Sequence, residues 1–360
     1  MSRFTATDHA HMARALRLAE KGLYTTQPNP RVGCVIAQGE DIIGEGWHER
    51  AGEPHAEVYA LRAAGDRARG AAAYVTLEPC AHFGRTPPCA DALIEAGVAR
   101  VIAACEDPNP RVAGGGFAKL RAAGIEVGTG LMREAAREVN RGFFSRIERG
   151  RPWLRVKLGM SLDGRTALAS GASKWITGAA ARADVQHWRA RSSAILTGSG
   201  TVLADDPRLT VRLAADVPFR SPLRVVLDRR ARVPDSAHVL DDSAPTLLFH
   251  AAGAAPRATR AESTGAPESD GLLDLSFVLR ALAARGVNEL QVEAGPTLCG
   301  ALYAAGLVDE LLLYMAPVLL GDQARPLLRL PALHDLTSGK RLRAIDQRRV
   351  GDDLCLLLRE

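Results

Sequence analysis

The chain has 360 residues, room for two domains, and 47% of them are hydrophobic, enough to give each a core. Its net charge of +5 is carried by dispersed arginine rather than a basic stripe or tail, which argues against a nucleic-acid binder and suits small phosphorylated ligands. Nowhere do roughly 18 apolar residues run together, Met1 to His11 lacks the apolar core of a signal peptide, and the six cysteines are scattered, so a cytoplasmic protein without a membrane partner is expected.

In chain order, His9 to Gly22 carries Met12, Ala15, Leu16 and Ala19 on one helical face, and Gly22 ends the run. Pro28-Asn29-Pro30 is a rigid loop feeding a strand over Val32 to Ala37, and Asp41 to Gly46 pairs with it as a hairpin. A helix begins at His55 and reaches about Ala64. Beyond it come a strand (Ala72 to Leu77), a helix (Cys89 to Ala96), a strand (Arg100 to Cys105), a helix (Phe117 to Ala123) and a strand at Ile125. Such alternation predicts a largely parallel sheet with helices on both faces. Leu131 to Arg141 reads as another helix and Arg146 to Pro152 as a linker, which sets the domains at 1–145 and 153–360.

A second α/β pattern follows. Its expected strands are Leu154 to Met160, Ala194 to Leu196, Leu223 to Leu227, Thr246 to Phe249, Glu289 to Glu293 and Glu310 to Ala316, with one or two more near the C-terminus. Helices are expected over Ala179 to Ala190, Ser276 to Arg285 and Thr297 to Ala305. Ala251 to Gly271, rich in Ala, Gly, Pro and Ser, reads as a mobile surface loop. The turn at Gly295 between a strand and a helix offers free N–H groups to a phosphate, and Gly198-Ser199-Gly200 is a weaker candidate of the same sort. Neither fits G-x-G-x-x-G in a βαβ unit, so a Rossmann domain is not expected; tight structural turns explain these glycines almost as well.

The chemistry-bearing stretch runs from His55 to Cys89. His55-Ala56-Glu57 followed by Pro79-Cys80 and Cys89 matches the H-x-E…P-C…C pattern of zinc deaminases acting on nucleobases. One imidazole and two thiols are three tetrahedral zinc ligands, which leave the fourth position for a water of pKa about 7. Glu57, two residues past the histidine, is placed to move that water's proton. A structural zinc closed by His82, or a Cys80–Cys89 disulfide, is the alternative. The open site is favoured because structural zinc normally takes a fourth Cys or His and nothing points to an oxidising compartment. Asn29, His48, His82, Arg85 and Thr86 are candidate substrate contacts, the last three within the loop between the cysteines.

The sequence resembles the bifunctional riboflavin-biosynthesis deaminase–reductase family over essentially its whole length. Pro28-Asn29-Pro30, Gly52-Glu53-Pro54-His55-Ala56-Glu57, Thr76-Leu77-Glu78-Pro79-Cys80 and Gly84-Arg85-Thr86-Pro87-Pro88-Cys89 look like its deaminase half, including the eight residues between the cysteines. Ser161-Leu162-Asp163-Gly164, Trp175-Ile176-Thr177, Thr201-Val202-Leu203-Ala204-Asp205-Asp206-Pro207 and Glu293-Ala294-Gly295-Pro296-Thr297 look like its reductase half. The resemblance implies a cytidine-deaminase-like three-layer α/β domain followed by a dihydrofolate-reductase-like α/β domain. It implies zinc on His55, Cys80 and Cys89, proton transfer by Glu57, and NADPH as the second cofactor. Reductase substrate contacts then fall on Ser173, Trp175, Arg189, Asp205, Leu209, Arg212 and Glu293. Cofactor contacts fall on Gly159, Thr201 and the turn Gly295, Pro296, Thr297, Leu298, Cys299, Gly300 and Ala301. The implied substrate is a small phosphorylated aminopyrimidine, and a homo-oligomer is expected. After Asp228, where relatives can carry a small polar residue, this chain has Arg229-Arg230; Arg229 or its neighbour is expected to meet the 2′-phosphate of NADPH.

Overall fold

The computed structural model describes residues 4–82, 87–110, 112–269 and 271–360. They form two compact units, Met1–Gly150 and Arg151–Glu360.

The first unit opens with α1 (Ala6–Lys21), which starts earlier than its apolar stripe because Thr5 and Asp8 close a capping box: the Asp8 N–H donates to Thr5 Oγ1 at 3.1 Å and the Thr5 N–H to Asp8 Oδ2 at 2.8 Å. There follow β1 (Gly33–Gln38), β2 (Asp41–Trp47), α2 (Ala56–Ala64), β3 (Ala72–Val75), α3 (Cys89–Ala96), β4 (Arg100–Ala103), α4 (Gly115–Ala122), β5 (Glu126–Thr129), α5 (Arg133–Val139) and α6 (Arg141–Arg149). The sheet order is β2-β1-β3-β4-β5. This sheet is mixed rather than largely parallel. The tight turn between Gln38 and Asp41 reverses β2 against β1, and β3 is antiparallel to β1 on its other side. Only β3, β4 and β5, joined through helices, run parallel.

Alternation along the strands divides the core in two. Cys34, Ile36, Ala73, Val75 and Val101 pack with Ala56, Ala60, Leu93 and Leu120 from α2, α3 and α4. Val35, Ala37, Tyr74 and Ile102 pack with Met12 and Ala15 of α1, Ala136 of α5 and Phe143 and Phe144 of α6. Helix α2 lies so close to β2 that a Cβ on Gly44 would sit 2.2 Å from the Ala60 oxygen, and one on Gly46 2.4 Å from that of Ala56. Those two glycines seat the helix that carries Glu57.

The single helix expected over Leu131 to Arg141 is two helices meeting at Asn140. Its side chain is spent on Arg31, accepting the Arg31 N–H at 2.7 Å and donating to the Arg31 oxygen at 2.8 Å. The linker expected at Arg146 to Pro152 is helix as far as Arg149, because Phe143 and Phe144 anchor α6 in the core beneath its arginines. Gly150, at φ 65°, ends that helix.

The second unit contains β6 (Trp153–Ser161), α7 (Ala179–Arg191), β7 (Ala194–Gly198), α8 (Ser199–Asp205), β8 (Leu223–Leu227), β9 (Thr246–Ala251), β10 (Glu262–Ala266), α9 (Leu275–Ala284), β11 (Glu289–Val292), α10 (Pro296–Ala304), β12 (Glu310–Ala316), β13 (Arg343–Val350) and β14 (Asp353–Arg359). They build a nine-stranded sheet in the order β10-β9-β8-β7-β11-β6-β12-β14-β13. The strands from β10 to β12 run parallel, and the terminal hairpin adds two antiparallel strands. The stretch Ala251 to Gly271, expected to be a loop, contributes β10. As an edge strand it needs backbone pairing with β9 more than apolar side chains, and only Ala266 in it is buried.

One face of this sheet is apolar, with Leu154, Val156, Leu196, Val225, Leu290 and Val292 packed against α9 and α10. The centre of the other face is polar. There Arg155, fully buried, donates to Glu310 at 2.5 Å and Glu289 at 3.1 Å and lies 4.4 Å from the Trp188 ring centroid. Burying a charged group this deeply requires such partners. Lys157, Gln291 and Glu293 continue the polar stripe toward the C-terminal strand ends, where open α/β sheets bind ligands.

Candidate active sites

In the first unit, β3 delivers Cys80 through Glu78-Pro79, α2 begins at its N-cap His55, and α3 begins at Cys89. The His55 Nδ1 atom lies 3.2 Å from Cys89 Sγ and 3.6 Å from Cys80 Sγ, and the three ligand atoms are all within 4.8 Å of one another. A tetrahedral zinc bonded to sulfur at about 2.3 Å and to nitrogen at about 2.0–2.1 Å separates its donors by about 3.5–3.8 Å, so the residues fit that ion. Both cysteines are free thiols, which removes the disulfide. His82 is exposed and outside the cluster, so among the described residues no fourth donor closes it. The Cys89 thiol and, beyond the cost of burial, His55 hold the Cys80 thiol down at about 4, while the same sharing of a proton pushes Cys89 up. A coordinating cation would leave both as thiolates.

Glu57 sits in the first turn of α2, 3% exposed, with Oε2 lacking a hydrogen-bond partner among the described residues. Burial lifts its carboxyl above the ordinary range, against the neighbouring His55. An unpaired buried carboxylate oxygen is costly unless a substrate or a water completes it. Beside it, His48 is buried, and burial keeps its imidazole below its usual value. Its Nδ1–H donates to the Pro54 oxygen at 3.0 Å, so Nε2 accepts from Asn29 Nδ2 at 3.1 Å. His48 also meets the His55 ring edge-on at 5.4 Å. Thus Asn29 and His48, separate in sequence, stand together at the metal cluster. Arg85 and Thr86 lie outside the described residues.

In the second unit, Arg189 on α7 donates to both carboxylate oxygens of Glu293 at 2.7 Å and to the Thr210 oxygen at 2.8 Å. Gln291 donates to Glu293 at 2.8 Å. The Leu209 backbone, at φ 50°, turns a buried side chain inward, and the Arg212 N–H donates to Gln186 on α7 at 3.0 Å. Gly159 lies on β6 under Thr177, with room for a Cβ only 3.2 Å from Thr177 Cγ2. Ser173 and Trp175 lie just before α7; Trp175 is 69% exposed, with the Arg182 guanidinium 4.4 Å from its ring centroid. Thr201 lies within α8 and Asp205 at its exposed end.

The glycine turns are neighbours. Gly198 caps α8, Gly295 caps α10, and a Cβ on Gly198 would lie 3.4 Å from Leu298 Cδ2. Pro296 fills the first turn of α10. Cys299 is buried, its S–H donating to the Ala294 oxygen at 3.3 Å, and a Cβ on Gly300 would stand 2.1 Å from the Arg329 oxygen. Those two residues therefore turn toward packing, Ala301 is half-buried, and Gly295 and Thr297 are open to solvent. Arg229 follows β8 as expected, and there it donates to Glu268 at 2.9 Å.

Two family models match the chain in succession: the cytidine and deoxycytidylate deaminase zinc-binding region over residues 5–105 and the RibD C-terminal domain over 152–356. The riboflavin biosynthesis protein RibD of Escherichia coli is 51% identical, covering 98% of this chain and 99% of its own. The chain belongs to the RibD family. The RibD of Haemophilus influenzae is 48% identical over 99% of this chain and 98% of its own. Among solved structures, RibD of Acinetobacter baumannii (form 1) superposes with a TM-score of 0.91 at 44% identity, and covers 98% of each chain. A deaminase/reductase from Thermotoga maritima superposes with a TM-score of 0.88 at 33% identity, again covering 98% of each. Riboflavin biosynthesis by RibD proteins is bifunctional: a zinc-dependent deaminase unit precedes an NADPH-dependent reductase unit.

Within this RibD plan a charged group of the second sheet's polar face, Lys157, escaped assignment from sequence. Lys157 on β6 faces the Glu293 charge, and burial lowers its ammonium. Its signal was the alternation of Arg155 and Lys157 with Leu154, Val156, Leu158 and Met160 along one strand.

Proposed function

We propose that the first unit hydrolyses the 2-amino group of 2,5-diamino-6-ribosylamino-4(3H)-pyrimidinone 5′-phosphate and that the second then reduces the ribosyl side chain to ribityl. His55, Cys80 and Cys89 hold one zinc, which acidifies water into a nucleophile at neutral pH. Glu57 takes the proton of the attacking water at its unpaired Oε2 and passes protons to the ring nitrogen and the departing amine; the C–N bond breaks and ammonia leaves. The neutral His48 fixes the Asn29 amide, so both present defined polar atoms to the pyrimidine. Burial excludes bulk water from the proton path.

In the second unit NADPH supplies the hydride. The Arg189–Glu293 pair, Ser173, Trp175, Asp205, Leu209 and Arg212 frame the substrate. Gly159, Thr201, Gly295 and the exposed start of α10 receive the cofactor, whose phosphates suit a helix N-terminus. Arg229 exchanges Glu268 for the 2′-phosphate. The protein works as a cytoplasmic homo-oligomer on small molecules. Among the described residues no helix is long and apolar enough to cross a membrane.

The observation that carries this reading is the triad of ligand atoms within 4.8 Å beside a buried carboxylate oxygen that has no hydrogen-bond partner among the described residues. Zinc content by atomic emission, measured in the parent and in Cys80→Ser and Cys89→Ser, tests it. One zinc per parent chain, lost in both variants, is the expected result; a parent chain without zinc refutes it.

A further inference from the structure

Glu78 is a carboxylate that neither reaction uses, yet it is 4% exposed and fully engaged. Its Oε1 accepts the N–H groups of Gly116 at 2.9 Å and Phe117 at 3.3 Å. Its Oε2 accepts those of Gly114 at 3.0 Å and Asp107 at 3.2 Å. A carboxylate offers about four acceptor positions, and here backbone amides occupy that number. Three of the donors belong to the start of α4, where N–H groups lack helical partners and the dipole is positive.

The same contact is enforced by shape. A Cβ on Gly116 would fall 1.9 Å from the Pro79 oxygen, so only glycine lets α4 approach the residue that precedes Cys80. Helix α4 is tied in turn to α3 by the Lys119–Asp91 ion pair, and α3 carries Cys89 as its first residue. The Cys89 N–H donates to Cys80 Sγ at 3.3 Å, and the Ala90 N–H to the Cys80 oxygen at 3.1 Å. Both thiols therefore hang from one frame, and Glu78 is the bolt between that frame and the sheet.

We infer that Glu78 is a positioning residue for the metal centre, fixing the Pro79–Cys80 segment on α4 so that the two sulfurs keep their spacing to His55. This rests on the zinc assignment above but is separable from it, since a parent chain that binds no zinc defeats the assignment before any Glu78 variant is made.

The test uses the full chain loaded with zinc. Glu78→Gln keeps the size of the side chain and turns an NH2 group against the backbone donors; Gly116→Ala leaves the carboxylate and drives a methyl group into the Pro79 oxygen. Zinc transfer to a chromogenic chelator, well below the melting temperature, should accelerate about 10–100-fold in both variants, the range usual when groups supporting metal ligands are removed. Deaminase kcat should fall by a similar factor with KM within about twofold, and reductase kcat/KM should not change. Zinc release and kcat within about twofold of the parent in both variants would overturn the inference. So would release that only follows unfolding of the first unit, or a first unit that fails to fold in both variants, since either assigns Glu78 to stability alone.

Discussion

Arg189 grips Glu293 through two hydrogen bonds of 2.7 Å, joining the last turn of α7 to the residue that follows β11. Burial alone would raise the Glu293 pKa, but the charge and donors of Arg189, with Lys157 and Gln291, hold it down at about 2. A folded value below the unfolded one means that the pair's stabilisation is complete above the unfolded value of about 4.3 and is lost as pH falls toward the folded value. The second unit should therefore lose stability progressively between about pH 4.3 and 2, and Glu293→Gln should flatten that slope. Denaturant midpoints measured across the window decide it; an unchanged slope in Glu293→Gln contradicts the assignment.

Arg189→Ala is the harsher change. It leaves a carboxylate whose side chain is 14% exposed with only Lys157 and Gln291 as partners, at a cost of about 1.5–3 kcal/mol for the lost charge-assisted hydrogen bonds. Chemical denaturation of the second unit should show that loss, together with failure of reduction.

Glu57→Gln should keep zinc and fold yet lose deamination by about 10²–10⁴-fold, because the amide cannot carry protons. Metal analysis and ammonia release check the two halves of the statement. Loss of zinc would make Glu57 a ligand; full activity would remove it from proton transfer.

A fragment from Arg151 to Glu360 should still reduce the deaminated intermediate with NADPH, because the second unit has its own sheet and core. Absorbance of NADPH followed with the fragment and with the full chain provides the comparison. A folded but inactive fragment would mean that residues before Arg151 contribute to reduction.

The sequence disclosed what local pattern determines. Strands Leu223–Leu227 and Glu310–Ala316 were legible to the residue and helix Cys89–Ala96 was legible in place, because apolar periodicity and flanking turns mark their ends. The ligand triad was legible from the spacing of His55, Cys80 and Cys89. What escaped depends on partners distant in the chain. Strand Glu262–Ala266 carries little apolar signal of its own and is held by β9. Asn140 splits a helix because Arg31, 109 residues away, takes its side chain. Glu78 stood in the sequence only as one residue of Thr76-Leu77-Glu78-Pro79-Cys80, and its partners appear only where the fold brings Gly114, Gly116 and Phe117 to it.

Arg229 and Glu268 are both partly exposed, so their ion pair contributes about 0–1 kcal/mol and yields readily to a phosphate. A charge-assisted hydrogen bond to the 2′-phosphate is worth roughly 1.5–3 kcal/mol, so Arg229→Ala should weaken NADPH binding by about one to two decades and leave NADH nearly unchanged. Calorimetric titration with both cofactors checks this. Equal weakening of the two, or none, removes Arg229 from the cofactor site.

The most direct measurement supplies the zinc-loaded chain with the diaminopyrimidine phosphate alone and follows ammonia, then adds NADPH and follows its absorbance. Ammonia should appear, one per substrate, before any NADPH is present, and one NADPH should then be oxidised per ammonia released. In Glu57→Gln both signals should vanish with this substrate, while NADPH oxidation returns when the deaminated intermediate is supplied. Oxidation of NADPH by the parent chain without prior ammonia release would contradict the assignment of the two steps to the two units.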